Sequence, residues 1–302
     1  RMNRVMDYVR DNPAGDHSVE TLAGIAYFSP FHFHRAFKAV TGETVAAFVR
    51  RARLERAAHL MKAAPKRKLT SIALDLGYPS LSELSRAFRR EYGIAPSAWD
   101  RKTRLDAATV REPMICELEP GFSASPATPK NAESSSQEAA PAGIEARVVE
   151  HEACRLAFVR MRNFFDPDTL PNGFARLTGW LESQGVDWRQ EKLIGMSWDH
   201  YVVTPLDQVR YDFGFTVPED LAGGDEVGIR ELPAVQSVDV HCNGPLHLIA
   251  QAWDYLYDEW LPASRFEPDD LPAMKRYRRR PDESGWATWD VDCSIAIRPL
   301  SP

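Results

Sequence analysis

The feature that most constrains the fold is an internal repeat. Shifted by 51 positions, the first hundred residues match themselves: Ser29 with Ser80, Arg35 with Arg86, Phe37 with Phe88, Lys38 with Arg89, Gly42 with Gly93 and Phe48 with Trp99. One supersecondary unit is used twice. In each copy a short apolar helix, around Val19 to Ala26 and again Ser71 to Leu76, runs into a tight turn. A second helix follows, opened by Ser29 with Pro30 at its first position, or by Ser80, and closed by Gly42 or Gly93. Serine caps the free N–H groups of a helix start, and glycine takes the left-handed conformation that ends one. The spacing therefore predicts helix, turn, helix, twice. The helical pattern already present from Arg1 to Arg10 has no cap before it, which leads us to expect that the chain begins inside an element.

Helical spacing sorts the second helix of each unit into faces. Phe33, Ala36, Phe37 and Val40 share one face and are expected in the core, as are Leu84, Ala87 and Phe88 in the second copy. Phe31, His34, Arg35 and Lys38 share another, and Ser82, Glu83, Arg86, Arg89 and Arg90 are left outward in copy two. Between the units, Val45 to Ala64 reads as a linking helix with Ala47, Leu54, Ala58 and Met61 inward and Arg50, Arg51, Arg53 and Arg56 available to phosphate. A helix with such a polar, cationic face fits the major groove, where Arg bridges guanine O6 and N7 and Glu accepts from cytosine N4. Solvated arginines occur on any helical domain; two in-phase copies with caps and breakers in place argue for more. For His34, Arg35 or Arg86 individually, a base contact, a phosphate contact and an internal ion pair all stay open.

Charge divides the 302 residues the same way. Residues 1–112 hold 20 Lys and Arg against 12 Asp and Glu, whereas 113–302 hold 17 against 31, so a net −6 conceals +8 beside −14. A basic module suits nucleic acid and an acidic one does not. From Glu119 to Gly143 four prolines and five serines accompany almost no large apolar residue, the composition of a tether rather than a core. The expected organisation is a DNA-binding domain at 1–112, a flexible linker at 113–143 and a second domain at 144–302. An apolar share of 44% supports real cores, and no uncharged run reaches bilayer length, so a cytoplasmic protein without membrane contact is expected. Cys116, Cys154, Cys242 and Cys293 form no CxxC pair, so neither a metal site nor a disulfide framework is read, and reduced structural thiols are expected.

After Ile144 the pattern changes to alternation. Strands are expected at Ala146 to Val149, Leu156 to Met161, Lys192 to Val203 and Val209 to Val217, around a helix at Phe174 to Gln184. A similar series follows, with strands at Val227 to Leu232, Ala234 to Cys242, Met274 to Arg279 and Trp289 to Pro299 and a long helix at Leu246 to Leu261. Strands and helix recurring in one order predict an antiparallel α+β domain with pseudo-two-fold symmetry. Seven of the eight tryptophans fall here, with several tyrosines. Such density either lines an apolar binding site or packs a core.

Together FSPFHFHRAFKAVTG, RRARLERAAHLM and IALDLGYPSLSELSRAFRREYGIAPSAW resemble the DNA-binding domain of AraC/XylS-type transcription regulators over about residues 3 to 105. The resemblance implies an all-α domain of two helix-turn-helix units, with recognition helices at about Pro30 to Val40 and Leu81 to Tyr92. The family's base-contacting positions fall on Phe31, His34 and Arg35 and on Leu81, Ser82 and Arg86. Phe31 and Leu81 cannot hydrogen-bond a base edge and could contribute only contact with a thymine methyl. The second half is similar to GyrI-like effector-binding domains, through LPAVQSVDVHCNGPLHLIAQAWDYLYDEWLPAS, the strand bearing Tyr277 and the closing DVDCSIAIRPL. That likeness implies a duplicated βαββ fold and a cleft for small ligands, often aromatic or cationic.

The implied ligand residues are Trp198, Tyr201, Trp253, Tyr257, Trp260, Lys275, Tyr277 and Trp289. Many GyrI-like domains carry phenylalanine-glutamate-x-tyrosine where this chain has Met274, Lys275, Arg276 and Tyr277. A lysine there repels a cationic ligand that a carboxylate would attract, so a neutral or anionic aromatic effector is expected. Alternate strand residues share a face, which places Lys275 beside Tyr277. The expected function is a transcription regulator that binds duplex DNA and responds to an effector, with RNA polymerase among its expected partners and without cofactor or catalysis. The alternatives are a hydrolase, using His241, Cys242, His247, Glu259 or Tyr277, and a module that binds gyrase or another protein through its acidic surface.

Overall fold

The structure is a computed structural model that describes residues 1–99, 144–162, 166–199 and 209–300. The chain divides into two compact units, Arg1–Ala107 and Ala108–Pro302. The tether expected at 113–143 lies outside the described residues.

The first unit is helical: α1 (Met2–Asp11), α2 (Val19–Ala26), α3 (Pro30–Thr41), α4 (Val45–Ala63), α5 (Leu69–Asp75) and α6 (Leu81–Tyr92). The repeat is visible in the caps. Ser29 Oγ accepts from the His32 N–H and Ser80 Oγ from the Glu83 N–H. Gly42 and Gly93 follow at φ +79° and +75°, where a side chain would strain the backbone. Phe33 and Phe37 are fully buried in one unit, and Leu84 and Phe88 in the other. Val40 departs from expectation: it is 53% exposed, in the last turn of α3 beyond the residues that pack in this core. Ala36 and Ala87 are half-buried. Helix α4 serves both cores, packing on α1 and α3 and also on α5 and α6, so Phe48, Ala52, Leu54, Ala57, Ala58, Leu60 and Met61 are all buried.

Among the described residues, the second unit is one antiparallel sheet with helices packed on it. Its elements are β1 (Ala146–His151), β2 (Cys154–Arg162), α7 (Thr169–Ser183), β3 (Leu193–Ser197), β4 (Arg210–Thr216), β5 (Gly228–Leu232) and β6 (Val235–Gly244), then α8 (Leu246–Asp254), β7 (Phe266–Pro268), β8 (Ala273–Arg279) and β9 (Trp289–Pro299). Helix α8 continues through a π-helical stretch, Tyr255–Trp260, into a last turn at Leu261–Ala263. The strands run in the order β1-β6-β9-β8-β3-β4-β2-β5, with the short β7 on β9. Outward from the middle, β8, β9 and β6 answer to β3, β4 and β2, and each half borrows the other's first strand as its edge. The two βαββ modules, β2-α7-β3-β4 and β6-α8-β8-β9, meet at the β3–β8 seam. Helix α7 lies on β2 and β4, and α8 on β6 and β9.

Register fixes one row across the helix-bearing face: Val159, Phe213, Gly195, Lys275, Cys293 and Val240, each the pairing partner of the next. Lys275 is the charged member of that row and sits at the seam.

Candidate functional site

In the first unit, α3 and α6 start at a serine cap and turn Phe33 and Phe37, or Leu84 and Phe88, into the core. That rotation leaves Phe31, His34, Arg35 and Lys38 exposed on α3, with Phe31 71% exposed. On α6 it exposes Ser82, Arg86, Arg89 and Arg90 and half-exposes Leu81 and Glu83. Arg86 pairs with Glu83 one turn back on the surface, a contact worth little against solvent. Of the α4 arginines expected to face phosphate, Arg51 does not: it bonds Glu43 at 2.5 Å and Glu55 at 2.6 Å and lies over the Phe48 ring. Arg53 is turned toward the loop after α1, giving its Nε–H to the Pro13 carbonyl at 2.7 Å. Arg50 is exposed.

Between the two helix-turn-helix units opens a concavity of about 1020 Å³, lined from α3 by His34, from α4 by Arg50 and from α6 by Arg86 and Arg90, with His17 and Tyr78 also on its wall. Burial, then the neighbouring Arg53, holds the His17 ring below its ordinary titration range. Burial raises the Tyr78 phenol, and the charges of Arg53, Arg50 and Arg90 oppose that rise.

In the second unit the structure brings three of the expected ligand residues together. Lys275 Nζ lies 4.6 Å from the Tyr211 ring centre and 5.9 Å from that of Trp289. The Tyr277 and Tyr211 hydroxyls are 3.0 Å apart, and Tyr277 packs on Phe213 and Trp289. Burial pushes the Lys275 amine down to about 8 and raises both phenols. Phe174 of α7 carries the nest outward to Trp188 and Trp286. The sequence reading did not assign Tyr211, Phe213, Phe174, Trp188 or Trp286 to the site. The alternation Tyr211, Phe213, Phe215 was the available signal, since period two puts all three on one face.

The other expected ligand residues go elsewhere. Trp198 stands on the opposite face, because it alternates with Gly195, the partner of Lys275, and follows the phase of Ile194 and Met196. There its indole N–H donates to Asp212 at 2.6 Å, Asp212 also accepts twice from Arg160 at 2.6 Å, and Arg230 lies 4.2 Å over the indole. Trp253 pairs with Tyr257 on α8 and its continuation, while Trp260 stacks on Phe266. Tyr201 lies outside the described residues.

A family model matches each of the two units. A model described as a helix-turn-helix domain covers residues 22–102, and one described as a GyrI-like small molecule binding domain covers residues 145–298. The transcriptional regulator Rob of Salmonella typhimurium is 30% identical over 97 residues, which are 32% of this chain and 33% of Rob. The regulatory protein SoxS of the same organism is 35% identical over 88 residues, 29% of this chain and 79% of SoxS. The chain thus spans about a third of the length of Rob and most of SoxS. Among solved structures, the EcmrR C-terminal domain aligns with 52% of this chain and 99% of its own at 13% identity and a TM-score of 0.41.

Proposed function

We propose, since this chain belongs to the AraC-type helix-turn-helix proteins and to the GyrI-like small-molecule-binding family, that it is a transcription regulator which binds duplex DNA and answers to a small effector. The single observation that carries the reading is the duplicated unit. Two capped helices, α3 and α6, turn polar and cationic side chains outward, the arrangement that reads successive major-groove segments. On α3 the reading residues are Phe31, His34, Arg35 and Lys38; on α6 they are Leu81, Ser82, Glu83, Arg86, Arg89 and Arg90.

The effector site is the aromatic nest around Lys275, Tyr277 and Trp289, with Tyr211 and Phe213 as further walls. Its effector is a neutral or anionic planar compound, and its occupancy alters DNA binding or the recruitment of RNA polymerase, in the cytoplasm. The tether between the two domains is 113–143. Catalysis is not part of the reading. The neighbouring His241 and Cys242 face opposite sides of β6, His241 pairing with Asp290 at 2.8 Å and Cys242 lying 3.9 Å from Cys293, so they form no nucleophile and base.

Selection of duplexes from a random pool by the full chain, with and without planar aromatic acids, tests the reading. Enrichment of a site with two elements about one helical turn apart, shifted in affinity by the acids, is the expected result. A pool that stays random overturns it.

A further inference from the structure

Lys275 is a nucleophile as well as a charge. It is 6% exposed and stands at the seam of the two βαββ modules, with Gly195 as its partner on β3 and Cys293 on β9. The rings of Tyr211 and Trp289 lie within cation–π reach of its amine, and Phe213 packs on Tyr277 beside them. Such an enclosure strips hydration from an ammonium group. Burial accordingly brings the amine down to about 8, with the Cys293 thiol opposing the shift. At about pH 7.5 roughly a quarter of such an amine is unprotonated, against about one part in a thousand of an ordinary lysine. Only the unprotonated form attacks a carbonyl carbon.

Addition to a carbonyl also needs a proton relay for its oxygen, and the nest holds one. Tyr277, two residues along β8, shares the face of Lys275, and its hydroxyl lies 3.0 Å from that of Tyr211. Burial raises both phenols, so both keep their protons where the amine loses its own. The bond between the hydroxyls uses one of the two protons, and the pair can give the other to a ligand oxygen. The walls choose the carbonyl compound. Flat rings on several sides favour a flat partner, and crowding at the amine favours a carbonyl whose second substituent is hydrogen. Tyr277 and Trp286 are half-buried, so the nest is reached past these two rings.

We propose that Lys275 captures planar aromatic aldehydes as imines, with the Tyr211 and Tyr277 hydroxyls relaying the proton. The proposal rests on the reading of the nest as the effector site and names a class of effector for it. The nitrogen lone pair adds to the carbonyl carbon, and one N–H proton passes through the hydroxyl pair to the carbonyl oxygen, giving a carbinolamine. The second N–H proton then leaves with that hydroxyl as water while the C=N bond closes. One amine and one aldehyde become one imine and one water, with no oxidation or reduction, and the step reverses when water returns.

Reductive trapping in the full chain tests it. The probe is a naphthaldehyde with sodium cyanoborohydride, which turns an imine into a stable amine that peptide mapping locates. At about pH 7.5 the adduct is expected to form at Lys275 at least about tenfold faster than at any of the other seven lysines. Its rate should rise to about pH 8 and then level, whereas the others keep rising toward about pH 10. The corresponding naphthylmethanol has the same ring and no carbonyl; in excess it should slow trapping at Lys275 and leave the other lysines unchanged. Lys275→Met should lose the fast adduct and still have its tryptophan fluorescence quenched by naphthylmethanol. Trapping at Lys275 no faster than elsewhere, or not slowed by a naphthylmethanol that quenches, overturns the imine and leaves the effector site standing. Quenching by neither compound overturns the reading of the nest, and the imine with it.

Discussion

Gly195 and Lys275 are direct partners across the seam between the two βαββ modules. The absence of a side chain at one makes room for the surroundings of the other. A Cβ at position 195 would stand 1.7 Å from the Tyr211 hydroxyl, which cannot then keep its 3.0 Å bond to Tyr277 or its ring under the Lys275 amine. The lysine thus lies among aromatic rings in a row that is otherwise apolar, and two consequences can be measured.

The first concerns stability. An unfolded lysine titrates near its ordinary value of about 10.4, whereas Lys275 in the fold titrates at about 8. Between those values the unfolded chain binds more protons, so this group destabilises the fold fully below pH 8 and ceases to as pH approaches 10; the two values correspond to about 3 kcal/mol. Lys275→Met should accordingly stabilise the second unit by about 1 to 3 kcal/mol at pH 7, with the gain fading by pH 10. Urea unfolding followed by tryptophan fluorescence measures both. A variant less stable at pH 7 would mean that ring contacts outweigh desolvation.

A second prediction addresses the repeat. Ser29→Ala and Ser80→Ala each remove one cap from a recognition helix and should cost about 1 kcal/mol. Because the caps belong to different helices in different cores, the double substitution should cost the sum. Gly93→Ala has open space around it but a φ of +75°, so a loss of about 1 kcal/mol would be conformational alone. Thermal unfolding tells these apart. A double substitution costing far more than the two singles would show that α3 and α6 depend on each other for folding.

What was legible in the sequence divides by range. Ser29, Ser80, Gly42 and Gly93 act on the backbone a few residues away, so a linear reading finds them, and period-two alternation finds nearly every strand of the sheet. Burial of Phe33 and Leu84 follows from helix period for the same reason. The misplacements depend on neighbours distant in sequence. Trp198 is apolar and near the other aromatics in sequence, but its face follows from β3 pairing with β8, where Gly195 takes the position opposite Lys275. Arg51 is the exception: Glu55 stands four residues on in the same helix, where helical spacing already puts it within reach, and Glu43 in the turn before α4 adds the second carboxylate. The short β7 lacks the length for a periodic signal, and the π-helical stretch at Tyr255–Trp260 leaves no signature in a pattern of period 3.6.

Recognition of DNA gives the third prediction. Arg35 and Arg86 occupy matching positions in the two units, so Arg35→Ala and Arg86→Ala should each weaken binding to a selected site by about 1 to 3 kcal/mol and relax base preference at different places within it. The Arg86 contact with Glu83 is a surface pair and should yield to a better partner. Repeating the selection with each variant reads the outcome. Equal weakening on every sequence would assign both arginines to phosphate.

The last prediction concerns the charge of the effector. With an amine at about 8, the nest is mostly cationic at pH 7 and mostly neutral at pH 9. An anion bound beside the amine gains from the ammonium form, in surroundings where opposite charges interact more strongly than in water. Its affinity should therefore fall by about tenfold from pH 7 to pH 9, and binding at pH 8 should be accompanied by proton uptake. A cation of the same shape meets the opposite field and should bind at least about tenfold more weakly at pH 7, while a neutral analogue shows little pH dependence. Quenching of tryptophan fluorescence by matched anionic, neutral and cationic planar aromatics, measured at both pH values, supplies the comparison, since Trp289 and Trp286 border the nest. Lys275→Met should abolish both the pH dependence and the preference between charges, and keep binding of the neutral analogue through Tyr277, Phe213 and Trp289. If the cation binds best to the unsubstituted chain, the ammonium does not face the ligand, and the rings alone set specificity.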